Sequence, residues 1–162
     1  MSLSGIIQYL NAAATGQFPK WPYFVSLARL NRPIGIFLLL WPTLWGLWFA
    51  ASGWPGWHLF LVFTLGAILT RSAGCVINDI ADRHYDGQVE RTRDRPLPQR
   101  HLSVAAAVTF MAVLLFLALL LVLSTNLKTV IIAFVAAMIA GIYPFMKRYT
   151  YLPQAVLGLA FS

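Results

Sequence analysis

Acidic side chains are nearly absent from this chain. Only five of its 162 residues carry a side-chain carboxylate, Asp79, Asp82, Asp86, Glu90 and Asp94, and no Asp or Glu occurs before or after that stretch. Charged residues are 10% of the total against 59% hydrophobic, and the mean hydropathy is +0.72, which excludes an ordinary soluble globule. Cysteine is equally scarce. A single Cys75 excludes an intrachain disulfide, carries no metal-site spacing, and is expected as a small buried residue. The net charge of +7 raises the question of nucleic acid. The basic residues, however, sit at the ends of apolar runs as topology signals do, not interleaved with aromatics on a polar face, so no nucleic-acid partner is expected. The first twenty residues lack a basic n-region and a cleavage signal, so no signal peptide is read. No internal repeat or low-complexity segment is evident.

What the chain has in abundance is apolar runs. Trp21 to Arg32 reads as an amphipathic approach segment. Ile34 to Ser52 is a first span, with Pro42 expected to kink it locally. Gly53-Trp54-Pro55-Gly56-Trp57 is an aromatic-flanked turn, and a second run starts near Trp57 and continues to Asp86. Pro96 and Pro98 make the basic segment after Gly87 an ordered loop. Val104 to Ser124 is a third span, Ser124-Thr125-Asn126 a turn, and Val130 to about Met146 a fourth span closed by Lys147 and Arg148. Leu152 to Phe161 starts a fifth run too short to cross a bilayer, so the chain reads as the first part of something longer. The expected fold is all-α: a polytopic transmembrane helical bundle, with residues 1–162 forming one membrane domain. Ten Lys and Arg lie on one side of these spans and only Lys128 on the other, Arg71 being within a span. By the positive-inside rule the N-terminus and the acidic segment face the cytoplasm.

The segment from Arg71 to Arg100 holds all five carboxylates and six of the twelve Lys and Arg. Ionisable groups confined to one end of an apolar helix mark a functional site. At about 100° per residue, Arg71, Cys75, Asn78, Asp79, Asp82 and Asp86 share an arc of about 100°. Like charges three or four residues apart on a helix repel unless something neutralises them. Carboxylates and an Asn amide oxygen are hard donors suited to Mg²⁺, which completes its octahedron with water and phosphate oxygens. The plainer alternative is a solvated, salt-bridged helix end, with Arg83 and Arg91 pairing to the acids. The spacing of a calcium-binding loop is absent.

Carboxylates beside arginines at the mouth of a helical bundle suit a phosphorylated molecule, and apolar helices beneath would hold a lipid tail. The joint reading is a lipid diphosphate bound with its head at the membrane face. A cation transporter subunit is the rival from another class, but transporters bury their ionisable groups near the midplane. A non-catalytic scaffold leaves the confinement of the acids unexplained. Trp41, Trp45 and Trp48 form a stripe that could shield a carbocation, although lipid-facing packing is the simpler reading. His84 and His101 read as surface loop residues and His58 as interfacial; none has metal-ligand spacing.

Asn78-Asp79-Ile80-Ala81-Asp82-Arg83-His84-Tyr85-Asp86 resembles the N-D-x-x-D-x-x-x-D signature of the intramembrane aromatic prenyltransferases. RPIG at Arg32, WPTLW at Trp41, RSAGCVIND at Arg71, RPLP at Arg95 and YPFMKRYTYLPQ at Tyr143 resemble the bacterial branch of that family that prenylates 4-hydroxybenzoate in ubiquinone biosynthesis. The likeness runs from Arg29 onward. It implies a bundle of about nine spans, of which this chain holds four and the start of a fifth. It also implies a second aspartate-rich motif, absent here, without which this piece is expected to be inactive by itself. The implied reaction is Mg²⁺-dependent transfer of a polyprenyl group from a polyprenyl diphosphate to the ring carbon ortho to the hydroxyl of 4-hydroxybenzoate. A sister enzyme with another aromatic acceptor is the near alternative. The resemblance makes Asn78, Asp79, Asp82 and Asp86 metal ligands or near-ligands, Asp79 the less secure of them. Asp82, Asp86 and Arg71 are the implied catalytic groups, and Arg29, Arg91, Tyr143, Lys147 and Arg148 the implied substrate contacts. The implied setting is the bacterial inner membrane.

Overall fold

Apolar runs punctuated by Gly, Pro and Ser become helices. The computed structural model describes residues 20–146 except Arg91, and their side chains except those of His84 and residues 143–146. Tyr143 therefore lies on a described helix with its side chain outside the described residues, and Arg91, Lys147 and Arg148 lie outside them altogether. Five helices occur and no strand among the described residues: α1 Trp21–Leu27, α2 Ile34–Ala50, α3 Trp57–Asp86, α4 Val104–Leu123 and α5 Leu127–Met146. Two segments, Trp57–Arg83 and Val104–Leu123, are long and apolar enough to cross a membrane. Ile34–Ala50 and Leu127–Ile142 are apolar but shorter.

The approach segment is not one helix. α1 stops at Leu27 because the chain turns at Arg29, whose φ is +59°. The Arg29 N–H donates to the Ser26 carbonyl at 3.1 Å and the Leu30 N–H to the Val25 carbonyl at 3.0 Å, the paired closure of a Schellman motif. A side chain in this left-handed region costs about 1–2 kcal/mol relative to helical geometry, so a residue other than glycine here needs compensation. α2 runs unbroken through Pro42, and Thr43 Oγ1 donates to the Leu39 carbonyl at 2.8 Å. Gly56, at φ +83°, permits the sharp entry into α3. α4 is capped by Ser103, whose hydroxyl accepts from the Ala106 N–H at 3.1 Å. α5 begins at Leu127, three residues before the expected start, because the Asn126 side-chain oxygen accepts from the Thr129 N–H at 2.9 Å.

α3 positions everything else. Its 30 residues span about 45 Å, against a hydrocarbon core of about 30 Å. About twenty residues suffice to cross such a core, and the polar residues from Asn78 to Asp86 close the helix at its C-terminal end. α4 and α2 pack along its length. Under its C-terminal end, Leu27, Ala73, Val76, Leu97, Leu102, Ala107 and Leu114 form a buried cluster flanked by Tyr23, Phe24, Ile80 and Phe110. α1, α3, α4 and the loop after Asp86 all meet there. Leu97 and Leu102 thus anchor that loop from below, and the Tyr23 ring stacks on His101 at 4.5 Å.

Candidate active site

The exposed-to-buried order along α3 sets the chemistry. At the C-terminal end of the helix, its polar stripe turns toward α1 and the loop and lines a pocket of about 290 Å³. Arg71, Cys75, Asn78, Asp79, Asp82 and Asp86 all face it, as the helical spacing predicts. Arg29, Val89, Thr92 and Arg95 complete the lining from the turn after α1 and from the loop.

Asp79 is the buried centre, with its side chain only 2% exposed. Its Oδ1 accepts from Arg29 Nη2 at 3.1 Å and from Arg95 Nη1 at 3.1 Å. The same Arg95 Nη1 donates to Asp86 Oδ2 at 2.6 Å. One guanidinium nitrogen therefore joins two carboxylates a little under two helical turns apart, and a second arginine closes on the deeper one. The pair with Asp79 offsets the left-handed backbone at Arg29. The loop is latched as well: Thr92 Oγ1 donates to the Asp86 carbonyl at 2.8 Å, and the Gln99 N–H to the Arg95 carbonyl at 3.2 Å.

Arg71 is held about two turns deeper than Asp79. Its Nε donates to the Gly35 carbonyl at 3.2 Å and its Nη1 to Cys75 Sγ at 3.2 Å. A Cβ on Gly35 would lie 2.9 Å from Arg71 Nη2, so the absence of a side chain there makes room for the guanidinium. Cys75 is buried, as expected, and serves as an acceptor.

The salt-bridged alternative contains part of the answer, in a buried setting. Arg83 Nη1 donates to the Ile80 carbonyl at 2.9 Å, while Asp79 and Asp86 are met by Arg29 and Arg95; Arg91 lies outside the described residues. Arg95 was not among the site residues expected from the sequence. Its signal was present in the RPLP stretch, but a loop has no periodicity to show which way it points. Trp41 and Trp45 are exposed and away from the pocket, in keeping with outward packing. His58 Nε2 lies 3.0 Å from Ser124 Oγ at the opposite end of α3.

Among the described residues no group of three or more His, Cys, Asp or Glu side chains is arranged to hold a metal ion. The donor chemistry still fits Mg²⁺ in its usual mode of one or two carboxylates completed by phosphate oxygens and water. Asn78, Asp82 and Asp86 line the pocket on the same helix face, and three guanidinium groups stand around them. Guanidinium groups so placed can offer charge-assisted hydrogen bonds to phosphate oxygens.

Comparison with known proteins follows the same line. Residues 39–162 match the model of the UbiA prenyltransferase family. The chain is 56% identical over 139 residues to a 4-hydroxybenzoate octaprenyltransferase of Marinomonas sp. (strain MWYL1), covering 86% of this chain and 49% of that protein. It is 59% identical over 139 residues to one from Pseudomonas aeruginosa (strain LESB58), covering 86% and 47%. With one from Chromohalobacter salexigens it shares 51% identity over 152 residues, covering 94% and 51%. The chain spans about half the length of the curated relatives it matches. No solved structure matches it significantly. Its all-helical architecture, two membrane-length apolar helices and family match together make this an integral membrane protein, and the chain belongs to the UbiA prenyltransferase family.

Proposed function

We propose that the protein transfers a polyprenyl group from a polyprenyl diphosphate to the ring carbon ortho to the hydroxyl of 4-hydroxybenzoate, a step of ubiquinone biosynthesis. The observation that carries this reading is the pocket itself: carboxylates and arginines together at the C-terminal end of a membrane-length helix. The names of the relatives favour 4-hydroxybenzoate over the other aromatic acceptors.

In this reading Asn78, Asp82 and Asp86 hold Mg²⁺, while Asp79 organises Arg29 and Arg95. Bound there, Mg²⁺ supplies positive charge to the departing pyrophosphate. Arg29, Arg71 and Arg95 present guanidinium donors to phosphate or acceptor carboxylate oxygens. Arg91, Tyr143, Lys147 and Arg148 are proposed as further substrate contacts on the family likeness alone. The allylic C–O bond breaks with its electron pair leaving on pyrophosphate. The ring carbon attacks the resulting cation, and loss of the ring proton restores aromaticity. The polyprenyl tail lies along the apolar helices. The protein sits in the bacterial inner membrane, with this pocket and the N-terminus on the cytoplasmic side and residues 1–162 within one membrane domain.

The test is transfer from a radiolabelled polyprenyl diphosphate by membranes containing the full-length protein. Labelled product is expected with 4-hydroxybenzoate and not with homogentisate or a dihydroxynaphthoate. Product with one of those acceptors and none with 4-hydroxybenzoate would replace this reading by the sister reaction.

A further inference from the structure

Arg95 stands where a cation ligand is needed. Its Nη1 lies 2.6 Å from Asp86 Oδ2 and 3.1 Å from Asp79 Oδ1. The pair is not a screened surface contact, since the Asp86 side chain is 10% exposed and that of Arg95 25%. The backbone around Arg95 is fixed by the Arg95 N–H donating to the Thr92 carbonyl at 3.1 Å, and by Leu97 in the buried cluster beneath. The side chain, by contrast, reaches the pocket on a flexible stem, so it can change partners while the loop stays in place. A divalent cation and a guanidinium compete for Asp86 Oδ2, because each draws on the same negative charge. They also repel each other across the pocket.

We infer that Arg95 is an internal counter-cation: it excludes a bare divalent cation from Asp86 and yields that oxygen only when a diphosphate arrives to take over the guanidinium. A bare cation entering the pocket displaces Arg95 from one of its two carboxylates and offers nothing in return. A cation that enters together with a diphosphate brings phosphate oxygens within reach of the displaced guanidinium, which gains a charge-assisted partner for the one it loses. The pocket therefore favours the metal–diphosphate complex over its parts, and the two ligands bind with positive coupling. Arg95 is in this sense a positioning residue for the acidic stripe. The inference rests on the metal role proposed above for Asp86.

The experiment is Mn²⁺ binding to the purified full-length protein, stripped with EDTA and titrated by calorimetry with and without a prenyl diphosphate. For Arg95→Gln, bare Mn²⁺ is expected to bind about tenfold tighter than to the wild type, because the competing state is removed. The same variant is expected to need about tenfold more prenyl diphosphate for half-maximal transfer, because a phosphate partner is lost. A purely structural role would weaken both. Arg93→Gln removes the same charge from an exposed neighbour that pairs with exposed Asp94, and both quantities are expected to stay within about twofold. If Arg95→Gln does not fold, Arg95→Lys must still tighten bare Mn²⁺ by a few-fold, through loss of the planar guanidinium whose Nη1 joins the two carboxylates. Unchanged or weaker Mn²⁺ binding in the Arg95 variants, or equal tightening in Arg93→Gln, overturns the inference while leaving the proposed reaction intact. No Mn²⁺ binding to any form, even with prenyl diphosphate, overturns the inference and the metal reading together.

Discussion

The two ends of α3 are built from opposite materials. At its start Trp48, Trp54, Trp57 and Phe60 interlock, mostly edge to face, with ring centroids 4.9–6.5 Å apart. His58 reaches Ser124 at the end of α4. Trp57 is 69% exposed, as suits an amphipathic ring at a membrane–water boundary. At the other end Asp79 is almost fully buried between two arginines, and the nearby loop is tied down by side chains from the core. An aromatic belt works by area and tolerates rearrangement. A buried ion-pair network depends on every partner, because removing one leaves another charge unmatched. The same helix is thus anchored at one end and specified at the other.

Mg²⁺ removal should separate the ends most sharply. With EDTA in excess, prenyl transfer is expected to fall to background while the melting behaviour of the protein changes little, since the aromatic end and core contain no metal donors. Full activity in EDTA would remove the metal from the account. Next comes Asp79→Asn, which leaves Arg29 and Arg95 facing a neutral amide. Breaking a buried pair costs about 3–5 kcal/mol, but both arginines reach solvent, so a loss of about 1–3 kcal/mol in denaturant unfolding is expected. A midpoint equal to the wild type would show that the network carries no stability.

A smaller effect is expected from Gly35→Ala. The new methyl would press on the Arg71 guanidinium, which should lower kcat/KM by about tenfold, equivalent to about 1.4 kcal/mol, with little change in helix content. Steady-state kinetics at matched protein level decide it, and an unaltered kcat/KM would mean Arg71 is not where the chemistry needs it. The smallest effect belongs to the aromatic end. Trp54→Ala removes ring contacts of about 0.5–1.5 kcal/mol each, so stability should fall modestly while activity per folded molecule stays within about twofold. A large loss of specific activity there would erase the contrast between the ends.

Much of this architecture is legible before any coordinates. The Gly53 to Gly56 turn and Pro96 and Pro98 mark the breaks, and the expected helix boundaries fall within a few residues of α2, α3 and α4. The acidic stripe follows from helical spacing alone, and the structure turns all six of its residues to one pocket. Three features escape such reading. The stop after Leu27 depends on a left-handed Arg29 where no glycine flags it. The early start of α5 depends on the Asn126 cap. The pairing of Asp79 with Arg29 joins residues fifty positions apart, and its pairing with Arg95 runs through an aperiodic loop. Local patterns reveal which face of a helix is polar. They do not reveal which distant side chain meets it, because tertiary packing of Leu27, Leu97 and Leu102 decides that.

The central claim is that the stripe at the end of α3 holds a metal against a diphosphate and is not only an ion-paired helix end. Asp82→Asn tests it most directly, since the change is nearly isosteric and removes one negative charge from the pocket. Prenyl transfer by full-length protein should be measured in membranes at matched expression, with saturating Mg²⁺ and both substrates. Weaker metal stabilisation of the departing pyrophosphate predicts a loss of about two decades or more in rate, at about 1.36 kcal/mol per decade. A salt-bridge role alone, at about 0–1 kcal/mol, predicts a rate close to that of the wild type, and that result would contradict the account.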